Sequence, residues 1–206
     1  MHINLSNAGK RFNREWIFRK VNLEFHSGSS YAITGPNGSG KSTLLQSIGG
    51  MLQLSEGSME YIINGKKTAA EETHNHVSIC APYLEVIEEM TLLEFLHFHF
   101  SFKSFLPGIN IREAINIIGL HAAANKQIRY YSSGMKQRVK LAQALLCNAG
   151  VVLLDEPTSN LDKQGIELYQ SMVERFGAGR VLVVSSNDPV EYAFCQQVLE
   201  VATWKP

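Results

Sequence analysis

Residues 31–43 read YAITGPNGSGKST, a short apolar strand, a glycine-rich turn and the start of a helix. This stretch constrains the chain more than any other. Gly35, Gly40, Lys41 and Ser42 meet every fixed position of G-x-x-x-x-G-K-[ST], and Pro36, Asn37, Gly38 and Ser39 fill the variable ones. Small residues let backbone N–H groups wrap a phosphate, and the helix N-terminus behind them adds its positive end. Lys41 then neutralises terminal phosphate oxygens, Ser42 offers a hydroxyl to Mg²⁺, and Thr43 reaches toward an inner phosphate. The bland alternative is a glycine turn beside a surface lysine. The strand before the turn and the helical STLLQSIGGML after it argue against that.

A strand feeding a helix through a tight turn is also the repeating unit of a parallel sheet, and the rest of the chain repeats it. VVLLD at 151–155 and VLVVSS at 181–186 read as buried strands, with helical GIELYQSMVERF between them. The beginning is different. HINL, VNLEF and SMEYIING read as short strands, the last ending in an Asn-Gly hairpin turn, with 66–76 as loop. Residues 91–146 read as helical, with Ile111, Ala114, Ile115 and Ile118 at i, i+3, i+4, i+7. A last helix is expected over 189–199, capped by Asp188 with Pro189 in its first turn. The expectation is one α/β domain over 1–206: a mostly parallel sheet with an antiparallel N-terminal β part, about 1–90 and 147–206. A helical lobe of about 91–146 is inserted in it.

Val151-Val-Leu-Leu-Asp155-Glu156 delivers two carboxylates at a strand end. Beside a phosphate cradle, Asp155 fits a metal-holding acid, and Glu156 could polarise an attacking water, work that contributes about 10²–10⁴-fold. Taken alone the pair is only a charged exit from a strand.

Composition narrows the partners. Lys+Arg and Asp+Glu both number 19, so the formal net charge is zero, which does not suit an electrostatic nucleic-acid binder. No apolar run approaches the roughly 20 residues that cross a bilayer, and MHINLSNAGKRFNREW lacks a secretory apolar core. Cys80, Cys147 and Cys195 lie far apart in apolar segments, as buried thiols of a reducing compartment do. A cytoplasmic location is expected.

Asp155-Glu-Pro-Thr-Ser-Asn-Leu-Asp162 resembles the Walker B and D-loop run of ABC ATPases, the nucleotide-binding subunits of ABC transporters. Tyr131-Ser-Ser-Gly-Met-Lys-Gln-Arg138 resembles their signature LSGGQxQR, and the resemblance covers essentially the whole chain. It implies a P-loop NTPase core that binds ATP and Mg²⁺ and hydrolyses ATP. It also implies a head-to-tail dimer, homomeric or heteromeric, with ATP between one P-loop and the other subunit's signature. The subunit would sit peripherally on the inner face of the cell membrane and drive a separate transmembrane subunit. Ser132 and Gly134 fall where the signature contacts the γ-phosphate in trans, while Ser133 replaces its first glycine, Tyr131 its leucine and Met135 its glutamine. Phe12 matches the aromatic that stacks on adenine, and Asp162 the D-loop aspartate of the dimer interface.

Two positions depart from the family. Its Mg²⁺-linked glutamine falls near Pro82, whose side chain cannot ligate a metal; Tyr83, Glu85 or water could stand in. Its histidine after the Walker B strand is Asn187, which can donate to a phosphate oxygen but carries no positive charge. Two alternatives therefore stand beside the transporter motor: a low-activity ATP-dependent switch and a soluble non-transport ABC ATPase. His74/His76 and His97/His99 are read as surface histidines, since no third ligand is spaced with them. Phe95, Phe98, Phe100, Phe102 and Phe105 are read as core or as a groove for a membrane-domain helix.

Overall fold

The computed structural model describes residues 1–205; Pro206, the last residue of the expected domain, lies outside them. The chain opens with two long strands, β1 (His2–Phe12) and β2 (Glu15–His26), paired antiparallel. After β3 (Ser30–Thr34) and α1 (Lys41–Ile48) come β4 (Glu56–Ile63) and the two-residue β5 (Lys66–Lys67). Asn64 and Gly65 both have positive φ, 51° and 74°, as a two-residue hairpin turn requires, and Ile63 pairs with Lys66 across them. Residues 66–76, expected as loop, therefore carry β5 and a 3₁₀ turn at Ala70–His76. The pairing that makes Lys66–Lys67 a strand comes from β4, not from their own polar sequence.

β6 (Val77–Cys80) leads into three helices, α2 (Leu92–Phe102), α3 (Ile111–Ile117) and α4 (Ser133–Leu145). Thr91 and Glu94 form a capping box that starts α2, Asn110 caps α3, and Ser132 caps α4. The chain then returns through β7 (Val151–Asp155), α5 (Lys163–Phe176), β8 (Val181–Ser185), α6 (Pro189–Tyr192) and β9 (Gln197–Glu200). The helix expected over 189–199 is thus cut to one turn. Beyond Tyr192 the chain bends so that β9 pairs parallel with β3, Ala32 opposite Val198, and completes the sheet edge. Short-range helical spacing loses here to a row of unpaired β3 backbone groups.

Two sheets result, β2-β1-β4-β5 antiparallel and β6-β7-β8-β3-β9 parallel. Every residue of β7 and β8 is buried, as strands covered on both faces must be. Their alternation divides the interior into two cores. Val152, Leu154, Leu182 and Val184 pack with α2, α4 and α5 residues, among them Leu96, Leu141 and Tyr169. Val151, Leu153, Val181 and Val183 face the other way, onto α1 and the antiparallel sheet through Leu44, Leu45, Ile3 and Phe25. The phenylalanines of 95–105 divide: Phe95 is buried, Phe100 and Phe105 stack at the edge of the first core, and Phe98 and Phe102 are exposed.

Candidate functional site

β3, β8 and β7 end side by side. Parallel pairing sets Ile33 beside Ser185 and Ser185 beside Asp155, so the loops that follow open on one edge. Ligands of parallel sheets bind at such carboxyl edges. The loop after β3 needs its glycines. A Cβ on Gly40, where φ is 104°, would lie 2.3 Å from the Cγ2 of Ile17, and one on Gly35, at φ 144°, would lie 2.8 Å from Ser39 Oγ. With hydrogen in those places the loop closes tightly around the start of α1. Lys41 is the first residue of that helix and is buried, its ammonium donating to the carbonyls of Gly35 at 2.8 Å and Pro36 at 3.3 Å.

Asp155 ends β7 with its side chain buried and neither carboxylate oxygen in a hydrogen bond. Burial raises its pKa; the nearby Ser185 and Ser42 hydroxyls oppose that without closing a bond of normal geometry. A buried carboxylate flanked by a serine hydroxyl and left unpaired suits a hard cation of the Mg²⁺ type. Glu156 follows at φ 42°, in the left-handed region that a glutamate rarely occupies. That turn points it out of the sheet. Glu156, Asn37, Asn187 and Ser186 line one open cleft of about 350 Å³, together with Thr158 and Glu191.

Asn187 bridges the two loops that meet there. Its Oδ1 accepts from the Gly35 N–H at 3.2 Å, and its Nδ2 donates to Asn37 Oδ1 at 3.2 Å. It does not cap α6; Asp188 does, accepting from the Val190 N–H at 3.0 Å. Asn187 is therefore a direct neighbour of the phosphate loop.

Ser132, Ser133, Gly134 and Met135 line a separate recess of about 280 Å³ with Arg138 and Asp162. Gly134 is tight against the loop after β7: a Cβ there would stand 3.0 Å from the Asn160 carbonyl. Ser132 Oγ accepts from the Met135 N–H and Asp162 Oδ1 from the Gly165 N–H, so each also caps a helix. Phe12 lies at the end of β1, 47% exposed, with Lys10 Nζ 5.1 Å from its ring centre. Phe12 pairs with Glu15 across the hairpin, and Ile17, two residues further along β2, is the one packed on Gly40.

Pro82 is exposed, and its carbonyl accepts from Lys140 of α4 at 3.2 Å. Of Tyr83 and Glu85, the two side chains expected to stand in there, Tyr83 is within reach of the Asp155 charge. Its hydroxyl is pushed up to about 12, first by burial and then by the Asp155 charge, with a Gln46 hydrogen bond opposing. Glu85 is exposed.

Two further side chains tie the site together through partners distant in the sequence. Gln137, buried on α4, donates to the Pro157 carbonyl at 2.7 Å and so links α4 to the loop carrying Glu156. Glu191 is 3% exposed and accepts from Thr158. The spacing Asp188-x-x-Glu191 reads as a capping box, whose acid would turn back to its own N-cap; instead the carboxylate crosses to the neighbouring loop.

The chain matches the model of the family described as ABC transporter over residues 18–159. The cytochrome c biogenesis ATP-binding export protein CcmA of Agrobacterium fabrum is 29% identical over 203 residues, spanning 96% of this chain and 94% of its own. The phosphonates import ATP-binding protein PhnC 2 of Oceanobacillus iheyensis is 29% identical over 189 residues, spanning 84% and 74%. The ATP-binding cassette MJ0796, solved as a dimer in a post-hydrolysis state with ADP and Pi, matches with a TM-score of 0.82 at 26% identity, over 96% of this chain and 93% of that one. With more than half of its residues inside the family match, the chain belongs to the ABC transporter family, as an ATP-binding subunit.

Proposed function

We propose that this subunit binds Mg·ATP at the loop 35–43, hydrolyses it within a dimer of cassettes, and drives a separate membrane subunit from the cytoplasmic face. The observation that carries the reading is the convergence of three adjacent strand ends. Asp155, Glu156 and Asn187 lie more than a hundred residues beyond Lys41 in the sequence, yet follow strand ends adjacent to the loop that Lys41 closes. Among the described residues no helix is long and apolar enough to cross a membrane.

Each residue then has a task of its own. Lys41 would exchange the Gly35 and Pro36 carbonyls for β- and γ-phosphate oxygens. Ser42 and Asp155 would hold Mg²⁺, which supplies charge neutralisation on the same oxygens. Glu156 faces the cleft and would orient a water and accept its proton. Asn187 can offer one amide proton to the γ-phosphate as it leaves Asn37. Phe12 would stack on the adenine. Ser132, Ser133, Gly134, Met135 and Asp162 line a recess of their own, which suits contact with nucleotide held by a second cassette, of the same or a different kind. The relatives include an export and an import subunit by name, and in this reading the membrane partner selects the cargo and its direction.

Phosphate release tests the reading. Wild-type protein should turn over Mg·ATP and Lys41→Ala should not. Glu156→Gln should bind ATP and elute as a dimer on gel filtration. Equal turnover in wild type and Lys41→Ala would contradict the assignment. The proline at 82 and the asparagine at 187 favour slow turnover, and a wild-type rate near zero with intact ATP binding would select the switch over the motor.

A further inference from the structure

At the far end of β1 from Phe12, three side chains converge that the nucleotide chemistry does not use. The β1–β2 register sets His2 directly opposite His26, and Glu24 lies two residues before His26, on the same face of the strand. His26 Nε2 is 3.4 Å from Glu24 Oε2, and His2 Nε2 is 3.7 Å from the same oxygen. The two imidazoles lie side by side, ring centres 4.6 Å apart and planes within 10°. All three donor atoms fall within 4.8 Å of one another, the one such group of three among the described residues.

The arrangement is chemically lopsided. His2 Nε2 is buried and makes no hydrogen bond, while a carboxylate oxygen and a second imidazole nitrogen face it. Two imidazole nitrogens and a carboxylate oxygen gathered in one place can turn their lone pairs on a single cation between them. Imidazole with carboxylate is the donor set of zinc and its neighbours, at about 2.0–2.2 Å from the ion. A tetrahedral ion with bonds of that length holds its ligands about 3.4 Å apart. The His26–Glu24 separation of 3.4 Å already matches that edge, the His2–Glu24 separation of 3.7 Å is slightly longer, and a tilt of the stacked rings toward one another brings the His2 nitrogen in.

We propose that His2, Glu24 and His26 bind one divalent transition-metal cation of the zinc class, with water completing its coordination. The ion ties β1 to β2, the edge strand of the antiparallel sheet, at a corner remote from the nucleotide. His2 and Phe12 are the two ends of the 11-residue β1, about 30 Å apart along the extended strand. The sequence hides the site, because the ligands are 22 and 24 positions apart and become neighbours only through strand pairing. The histidine pairs at 74/76 and 97/99, closer in sequence, gather no third ligand.

The test is calorimetric titration of metal-free, nucleotide-free full-length protein with Zn²⁺, repeated with Co²⁺ to read coordination from its absorption bands. Wild type should bind one Zn²⁺ per chain. His26→Ala and Glu24→Gln should each weaken binding at least about tenfold, the loss expected when a coordination shell is damaged. Both side chains are more than half exposed, so the variants should keep the metal-free melting temperature of wild type. Saturating Zn²⁺ should raise the melting temperature of wild type and leave His26→Ala unmoved. A His74→Ala, His76→Ala double variant should bind like wild type. No Zn²⁺ binding by wild type, or undiminished affinity in either His26→Ala or Glu24→Gln, would overturn the proposal.

Discussion

A single carboxylate oxygen of Glu191 accepts both the backbone N–H of Thr158, at 2.7 Å, and its hydroxyl, at 2.5 Å. Tyr169 in turn donates to the Glu191 backbone carbonyl at 2.7 Å, so the short α6 is anchored to α5 and grips the loop that carries Glu156. The grip sits two residues from the candidate base.

Removing the grip should show in stability and rate together. Hydrogen bonds to a charged acceptor contribute about 1.5–3 kcal/mol, and Glu191→Ala strands two donors. We expect a loss of about 3 kcal/mol in urea unfolding and slower turnover per folded molecule. Glu191→Gln keeps an acceptor oxygen and should recover most of both. Unchanged unfolding in the alanine variant would show that Thr158 finds another partner.

Asn187 should separate the two quantities. Its side chain is exposed and does not cap α6, so Asn187→Ala should move stability by no more than about 0.5 kcal/mol. Loss of a donor aimed at developing phosphate charge can lower the rate by about 10²–10³. Thermal melting and phosphate release on the same preparation measure both, and a lower melting temperature at constant turnover would assign Asn187 a structural role.

His99 sets a pH limit on the helical insert. Burial, aided by the Lys103 charge, lowers its pKa to about 4 against the Gln143 backbone bond, and its Nε2 is buried without a partner. The unfolded chain protonates an ordinary histidine near 6.5. Between those values the unfolded state binds the extra proton, so stability falls as pH drops from about 6.5 to about 4 and is flat above. His99→Phe, filling the same space between Phe95 and Phe100, should remove that step from a series of urea midpoints. An identical slope in the variant would place the titration elsewhere.

Phe98 and Phe102 meet edge to face at 5.1 Å on the surface of α2, 44% and 73% exposed. Phe102→Glu should leave the melting temperature within a degree or so, as surface changes do, and weaken co-purification with the membrane partner. A fall in melting temperature with binding intact would make the pair part of the fold instead.

The sequence by itself determined the local chemistry. The phosphate loop follows from contiguous residues whose glycines dictate the turn, and the burial of VVLLD and VLVVS follows from unbroken apolar runs. The Asn64-Gly65 hairpin and the cap at Asp188 are likewise short-range statements about φ and hydrogen bonding. What only the tertiary structure decided is where side chains with several possible partners go. Asn187 reaches Gly35 across 152 positions, Glu191 turns away from its own N-cap to Thr158, and His2 meets His26 through strand register. Residues 197–200 became a strand because β3 offered an open edge, against their own helical setting. The physical reason is the same in each case. A backbone turn is settled by its neighbours in sequence, whereas a polar side chain goes to whatever unsatisfied group packing leaves beside it.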